Sequence, residues 1–175
     1  LLNDPQWESL DSQGIAAVLA AAVRKIGKVD LVLCGRQASD SDGGQVLYWL
    51  AAALGMPVVS PVIGIEEAQA DQLRVQRILD EEYQRLAVRL PALLGVSSEI
   101  NEPRLPTPKG TVAATRAMIP VWKAATLNVP PAARRVTMQK LEIQLRTSRA
   151  EIIQGADGAE AGRALVDKLH QQGLI

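Results

Sequence analysis

The run Val29-Asp30-Leu31-Val32-Leu33-Cys34 is apolar apart from Asp30, and ten residues rich in turn formers come directly after it: Gly35, Arg36, Gln37, Ala38, Ser39, Asp40, Ser41, Asp42, Gly43 and Gly44. A run of this kind reads as a parallel strand buried on both faces between helix layers. Ahead of it, after Asp11 and Ser12, the residues Ile15, Val18, Leu19, Ala22, Val23 and Ile26 recur at spacings of three and four, the pattern of one helix face, and Gly27 is placed to end that helix. Behind it, Gln45 to Leu54 repeats the pattern through Val46, Leu47, Leu50, Ala53 and Leu54, and stops at Gly55 and Pro57. Helix, buried strand, loop and helix in that order predict an α/β fold with an open, mostly parallel, doubly wound sheet of the Rossmann-like kind.

Val58-Val59-Ser60 begins a further strand. Between Leu73 and Leu90 the apolar period drops to two, with Leu73, Val75, Leu86, Val88 and Leu90 set against Arg74, Gln76, Arg85 and Arg89. This predicts an antiparallel hairpin turning near Asp80-Glu81-Glu82. Pro91 then precedes a short strand, Ala92 to Val96. Past Asn101 the prolines Pro103, Pro106, Pro108, Pro120, Pro130 and Pro131 break up every long apolar run, as in an extended arm. Helical spacing returns at Ala161, Leu165 and Leu169 after a cap at Asp157. The expected organisation is a partial α/β domain over residues 1–103, followed over 104–175 by an extended carboxyl-terminal arm whose terminal helix packs on a partner.

The loop Gly35 to Gly44 is where chemistry is expected, since ligands of open parallel sheets bind outside the carboxyl ends of the strands. Gly43 and Gly44 let the backbone approach an anion, and the helix starting near Gln45 points its amides and the positive end of its dipole there. A phosphate or diphosphate suits such a place. Asp40 and Asp42 would repel it, so they either cap the turn or accept ribose hydroxyls. Neither the P-loop pattern nor the dinucleotide glycine fingerprint is present, and a plain strand-to-helix turn with solvated aspartates is the rival reading.

Other chemistries find little support. The formal charge is +0, which gives no cationic excess for tracking nucleic acid. The one cysteine, Cys34, lies in the apolar run and reads as a reduced, buried thiol, so neither an intramolecular disulfide nor a cysteine-built metal site is expected. The one histidine, His170, falls in the last turn of the terminal helix, facing solvent. No apolar stretch reaches the ~20 residues of a membrane helix, and a cytoplasmic location is expected by default.

The run from Asp30 through Gly44 to Gln45-Val46, followed by Leu54-Gly55-Met56-Pro57, Leu90-Pro91-Ala92 and Asn101-Glu102-Pro103-Arg104, resembles the signature blocks of electron-transferring flavoprotein β (small) subunits, in the same order and at similar separations. The resemblance is strong from about Ser9 to Arg104 and weaker beyond, although the ending Lys168 to Ile175 is still similar to the family's. It implies an electron carrier and not an enzyme. This would be a heterodimer with an α subunit, with FAD held chiefly by that partner and an adenine nucleotide in the β subunit, AMP in well-known members and a second FAD in bifurcating ones. Gly35 through Val46 would wrap that nucleotide, with Gly43, Gly44, Gln45 and Val46 facing the phosphate. Val46 stands where mitochondrial-type members have threonine. Acyl-CoA or other flavin dehydrogenases would be the electron donors. Pro108 takes the usual leucine position of the docking loop, and Thr111 to Arg116 replace a lysine-rich run. The chain opens at Leu1, straight into a helical pattern, so about the first third of the family pattern is expected to be lacking. The alternatives from other classes are a stand-alone adenine-nucleotide sensor and an adenylyl-transfer enzyme on a similar fold.

Overall fold

In the computed structural model, Asp11 begins the first helix, α1 (Ser12–Ile26), by accepting the N–H of Gly14 on its side chain, and Gly27 ends it at φ 109°. The structure describes residues 1–80, 82–129, 135–137, 139–140, 142 and 150–175. Glu81 of the expected turn and the prolines Pro130 and Pro131 lie outside them. The chain then forms β1 (Leu31–Gly35), α2 (Val46–Leu54), β2 (Val58–Ala68), β3 (Gln72–Leu79), β4 (Glu82–Arg89) and β5 (Ala92–Val96). Gly55, in the left-handed region at φ 68°, closes α2 by donating to Ala51 and Ala52. The arm carries α3 (Pro108–Arg116) and the single turn α4 (Ala124–Leu127), and the chain's last helix is α5 (Gly158–Gln171).

The five strands form one mixed sheet in the order β1-β5-β2-β3-β4. Its core is parallel: β5 pairs with β1 from Leu31↔Ala92 to Gly35↔Val96 on one side, and with β2 on the other. Antiparallel pairing takes over from β2 to β3 and on to β4, whose register runs unbroken from Gln72↔Arg89 to Leu79↔Glu82. The expected α/β architecture and hairpin are therefore present.

Strand alternation along β5 sends its residues to two clusters. Leu93 packs with Ala16, Ala20, Leu47, Leu50 and Ala51 of α1 and α2. Ala92 and Leu94 join Val59, Val62, Leu73, Val75 and Val88. The small side chains of α1 let the two helices come close. At their carboxyl ends, the Arg24 guanidinium donates to the Ala53 carbonyl. Both helices thus run the same way, with their amino ends at the carboxyl end of β1.

One expectation is overturned. β1 is not buried on both faces, since Leu33 is 55 % exposed, and among the described residues it pairs with β5 alone, at the sheet's edge. A near-continuous apolar run carries no information about how many neighbours a strand has. The proline-rich arm is also less extended than its composition suggests, because Thr107 caps α3 through Gly110 N–H at 3.1 Å and Pro108 occupies the first turn, where no N–H is needed.

The described residues divide into two compact units, Leu1–Thr137 and Met138–Ile175. In the second, α5 opens on a side-chain cap, with Glu160 N–H donating to Asp157 at 2.8 Å, and the Glu160 carboxylate accepts the N–H of Ala156, just before the cap, at 2.8 Å. His170 lies in its last turn and is exposed. No helix among the described residues is long and apolar enough to cross a membrane.

Candidate functional site

β1 ends at Gly35, and a cleft of about 370 Å³ opens there, between the amino ends of α1 and α2. Cys34 and Gly35 form its floor with Arg36, Gln37 and Ala38. One wall comes from Ser12, Ile15 and Leu19 of α1, which are spaced three and four apart and so share a face. The other comes from Ser41, Gly43, Gly44 and Gln45, continuing into Val46 and Leu47 of α2.

The loop is bent by two residues in the left-handed region, Asp42 at φ 48° and Gly44 at φ 57°. Asp42 closes a turn by donating its N–H to the Ala38 carbonyl at 2.9 Å, and its carboxylate accepts from the Gln37 side chain. The Ser41 hydroxyl donates to Asp40 at 3.2 Å. Both aspartates are engaged within the loop itself, and neither they nor Ser39 line the cleft. Of the twelve residues singled out in the sequence, the remaining nine do.

Electrostatically the cleft is one-sided. Arg36 is the formally charged side chain in its lining. The amino end of α2 has no side-chain cap and no acidic residue in its first turn, unlike α1, whose first turn is capped by Asp11. Open amides at a helix start, beside a glycine held at positive φ, favour an anion. Near Arg36, in the turn after β5, the Glu99 carboxyl is held below its ordinary range, first by the Ser97 hydroxyl and to a lesser degree by the Arg36 guanidinium. Cys34, expected to be buried, is only partly so and lines the cleft; its partial burial pushes the thiol up, so it stays protonated at neutral pH. Among the described residues, no group of three or more His, Cys, Asp or Glu side chains could hold a metal ion.

Sequence reasoning missed Ser12, Ile15, Leu19, Cys34 and Leu47 as lining residues. Their helical and strand periodicity gives a signal, but it is the signal of a core face. Only the position of α1 beside the end of β1 turns part of that face into a wall.

Residues 1–127 match the model of the electron transfer flavoprotein domain, well over half of the chain. The match spans the parallel core, the hairpin and the loop Gly35 to Val46 alike, so the glycine-rich turn is part of a whole-domain likeness: the chain belongs to the electron transfer flavoprotein family.

Proposed function

We propose that this chain is the β subunit of an electron transfer flavoprotein and that its cleft holds the phosphate and ribose of an adenine nucleotide. The family is one of flavin-associated electron carriers. The observation that carries the finer reading is the uncapped amino end of α2 opening on a cleft whose charged lining residue is Arg36. That donor set suits a phosphate, and about 370 Å³ lies within the usual size of small-molecule pockets. A flavin bound jointly with an α subunit supplies the redox chemistry. This chain's residues bind and orient: Gly43, Gly44 and Gln45 offer amides, Val46 offers an amide without the hydroxyl of threonine, and Arg36 offers charge.

Apolar surface outside the cleft supports an obligate partner. Tyr83 of the hairpin is 65 % exposed, and Leu105 and Met118 of the arm are 90 % and 98 % exposed. A partner that covered these side chains would remove that apolar surface from water. The α subunit is the proposed occupant, with acyl-CoA or other flavin dehydrogenases meeting the assembled carrier.

The test is Gly44→Glu, which puts bulk, charge and a strained φ where the anion sits. Nucleotide released by denaturation and measured by chromatography should fall at least tenfold, with the circular dichroism of the fold retained. Nucleotide content equal to that of the parent chain would overturn the assignment.

A further inference from the structure

Two aspartates near the start of the chain each serve two places at once. Asp4 accepts the N–H of Gln6 at 3.0 Å on Oδ1 and the N–H of Ala124 at 3.0 Å on Oδ2. Asp11 caps α1 through Gly14 N–H at 2.9 Å on Oδ1, and its Oδ2 takes two arm amides, Arg135 at 2.8 Å and Val136 at 3.1 Å. The arm is also fastened around Trp122. Its N–H donates to the Leu1 carbonyl at 2.8 Å, and Lys25 lies 5.6 Å from the centre of its ring while donating to the Thr126 carbonyl at 3.3 Å. Lys25 stands near the carboxyl end of α1 and Asp11 at its amino end. The arm is therefore held at both ends of one helix.

Asp11 matters most because it adjoins the cleft. Ser12 and Ile15, in the first turn of α1, are wall residues there. We propose that Asp11 is a positioning residue that couples the arm to the cleft: one carboxylate fixes both the arm at residues 135–136 and the helix end that walls the site. This rests on the reading that the cleft takes a nucleotide. With the arm in place, both oxygens are engaged and the carboxylate has one orientation. With the arm drawn off, Oδ2 turns to water, the cap gains rotational freedom and the first turn of α1 loosens. Linkage is reciprocal, so a ligand that fixes this turn must tighten the arm's attachment by the same factor.

Asp11→Ser separates the two roles, because serine caps helices about as well as aspartate but has a single oxygen. Asp11→Asn is the second variant if the first fails to fold, since it keeps the capping oxygen and puts an amide donor where Oδ2 was. The probe is AMP, added to the full chain with whatever partner it purifies with, and the readout is amide hydrogen exchange together with titration calorimetry. In the parent, AMP should slow exchange at residues 135–136 at least threefold, along with the loop 35–46. In Asp11→Ser the 135–136 amides should exchange at least tenfold faster, Gly14 should stay protected, and the AMP dissociation constant should rise three- to tenfold. Protection of 35–46 with equal affinity in both proteins and no response at 135–136 would overturn the coupling and leave the nucleotide reading standing. No AMP effect anywhere in the parent would remove the nucleotide reading, and this inference with it.

Discussion

A Cβ added at Gly95 of β5 would lie 2.7 Å from the Leu47 Cδ1 and would collide with the Ser60 hydroxyl, so this glycine is what lets α2 settle on the sheet above β2 and β5. Gly95→Ala should cost about 1–3 kcal/mol through overpacking, read as a lower urea midpoint at unchanged slope. Gly44 poses a different constraint. A methyl there meets nothing closer than Gln37 Oε1 at 3.7 Å, but φ +57° strains any L residue. Gly44→Ala should therefore lose about 1–2 kcal/mol relative to Gly43→Ala, where the added carbon meets the Ser12 hydroxyl at 3.7 Å. The same urea titration checks the ranking. Of Gly95 and Gly44, only Gly44 is legible in the sequence, because its turn is local. The role of Gly95 arises from Leu47 and Ser60, far away in the chain, which no pattern around it records.

Elements with local causes are readable in the sequence and those with tertiary causes are not. The two hairpin strands announce themselves by alternation, Ala92 to Val96 by its short apolar run after Pro91, and α1 and α5 by their caps and spacing. The extra length of β2 is hidden, since Pro61 and Gly64 interrupt its pattern and its register shifts twice along β3. For α3 the Thr107-Pro108 start signal is present, but it stands among prolines that suggest extended chain. Asp157→Ala should destabilise α5 by about 1 kcal/mol, because Asp157 caps it through the Glu160 N–H. Faster amide exchange confined to its first turn is the check. The fastening of the arm should respond to acid. Asp4 is held below its ordinary value chiefly by the Ala124 amide, then by Gln6, and Asp11 chiefly by Gly14, then by Arg135. Depressed carboxyls contribute above their unfolded value of about 3.9 and lose that contribution as pH falls through the lower folded value. Fluorescence of Trp122 should therefore be flat at neutral pH and change only below about pH 4. A change centred near pH 6 would point to other groups.

At the scale of the whole molecule, exposed apolar groups gather on the hairpin and the arm and not only around the cleft. Amides of residues 73–90 and 105–127 should gain protection when the proposed α subunit is added, and equal protection with and without it would place the interface elsewhere. The sheet order has a kinetic side as well. β5, last of the strands to be synthesised, occupies the slot between β1 and β2, so Leu31 meets Ala92 only after some sixty intervening residues exist. The hairpin can zip locally and early, whereas the parallel core has to wait for its central piece. Val88→Ala should accordingly slow refolding, whereas an equally destabilising change at Leu93 or Leu94 should mainly speed unfolding. On the ribosome, the loop Gly35 to Gly44 would be made long before the sheet that shapes its cleft could close, so the cleft would take form all at once, when residue 96 clears the exit tunnel.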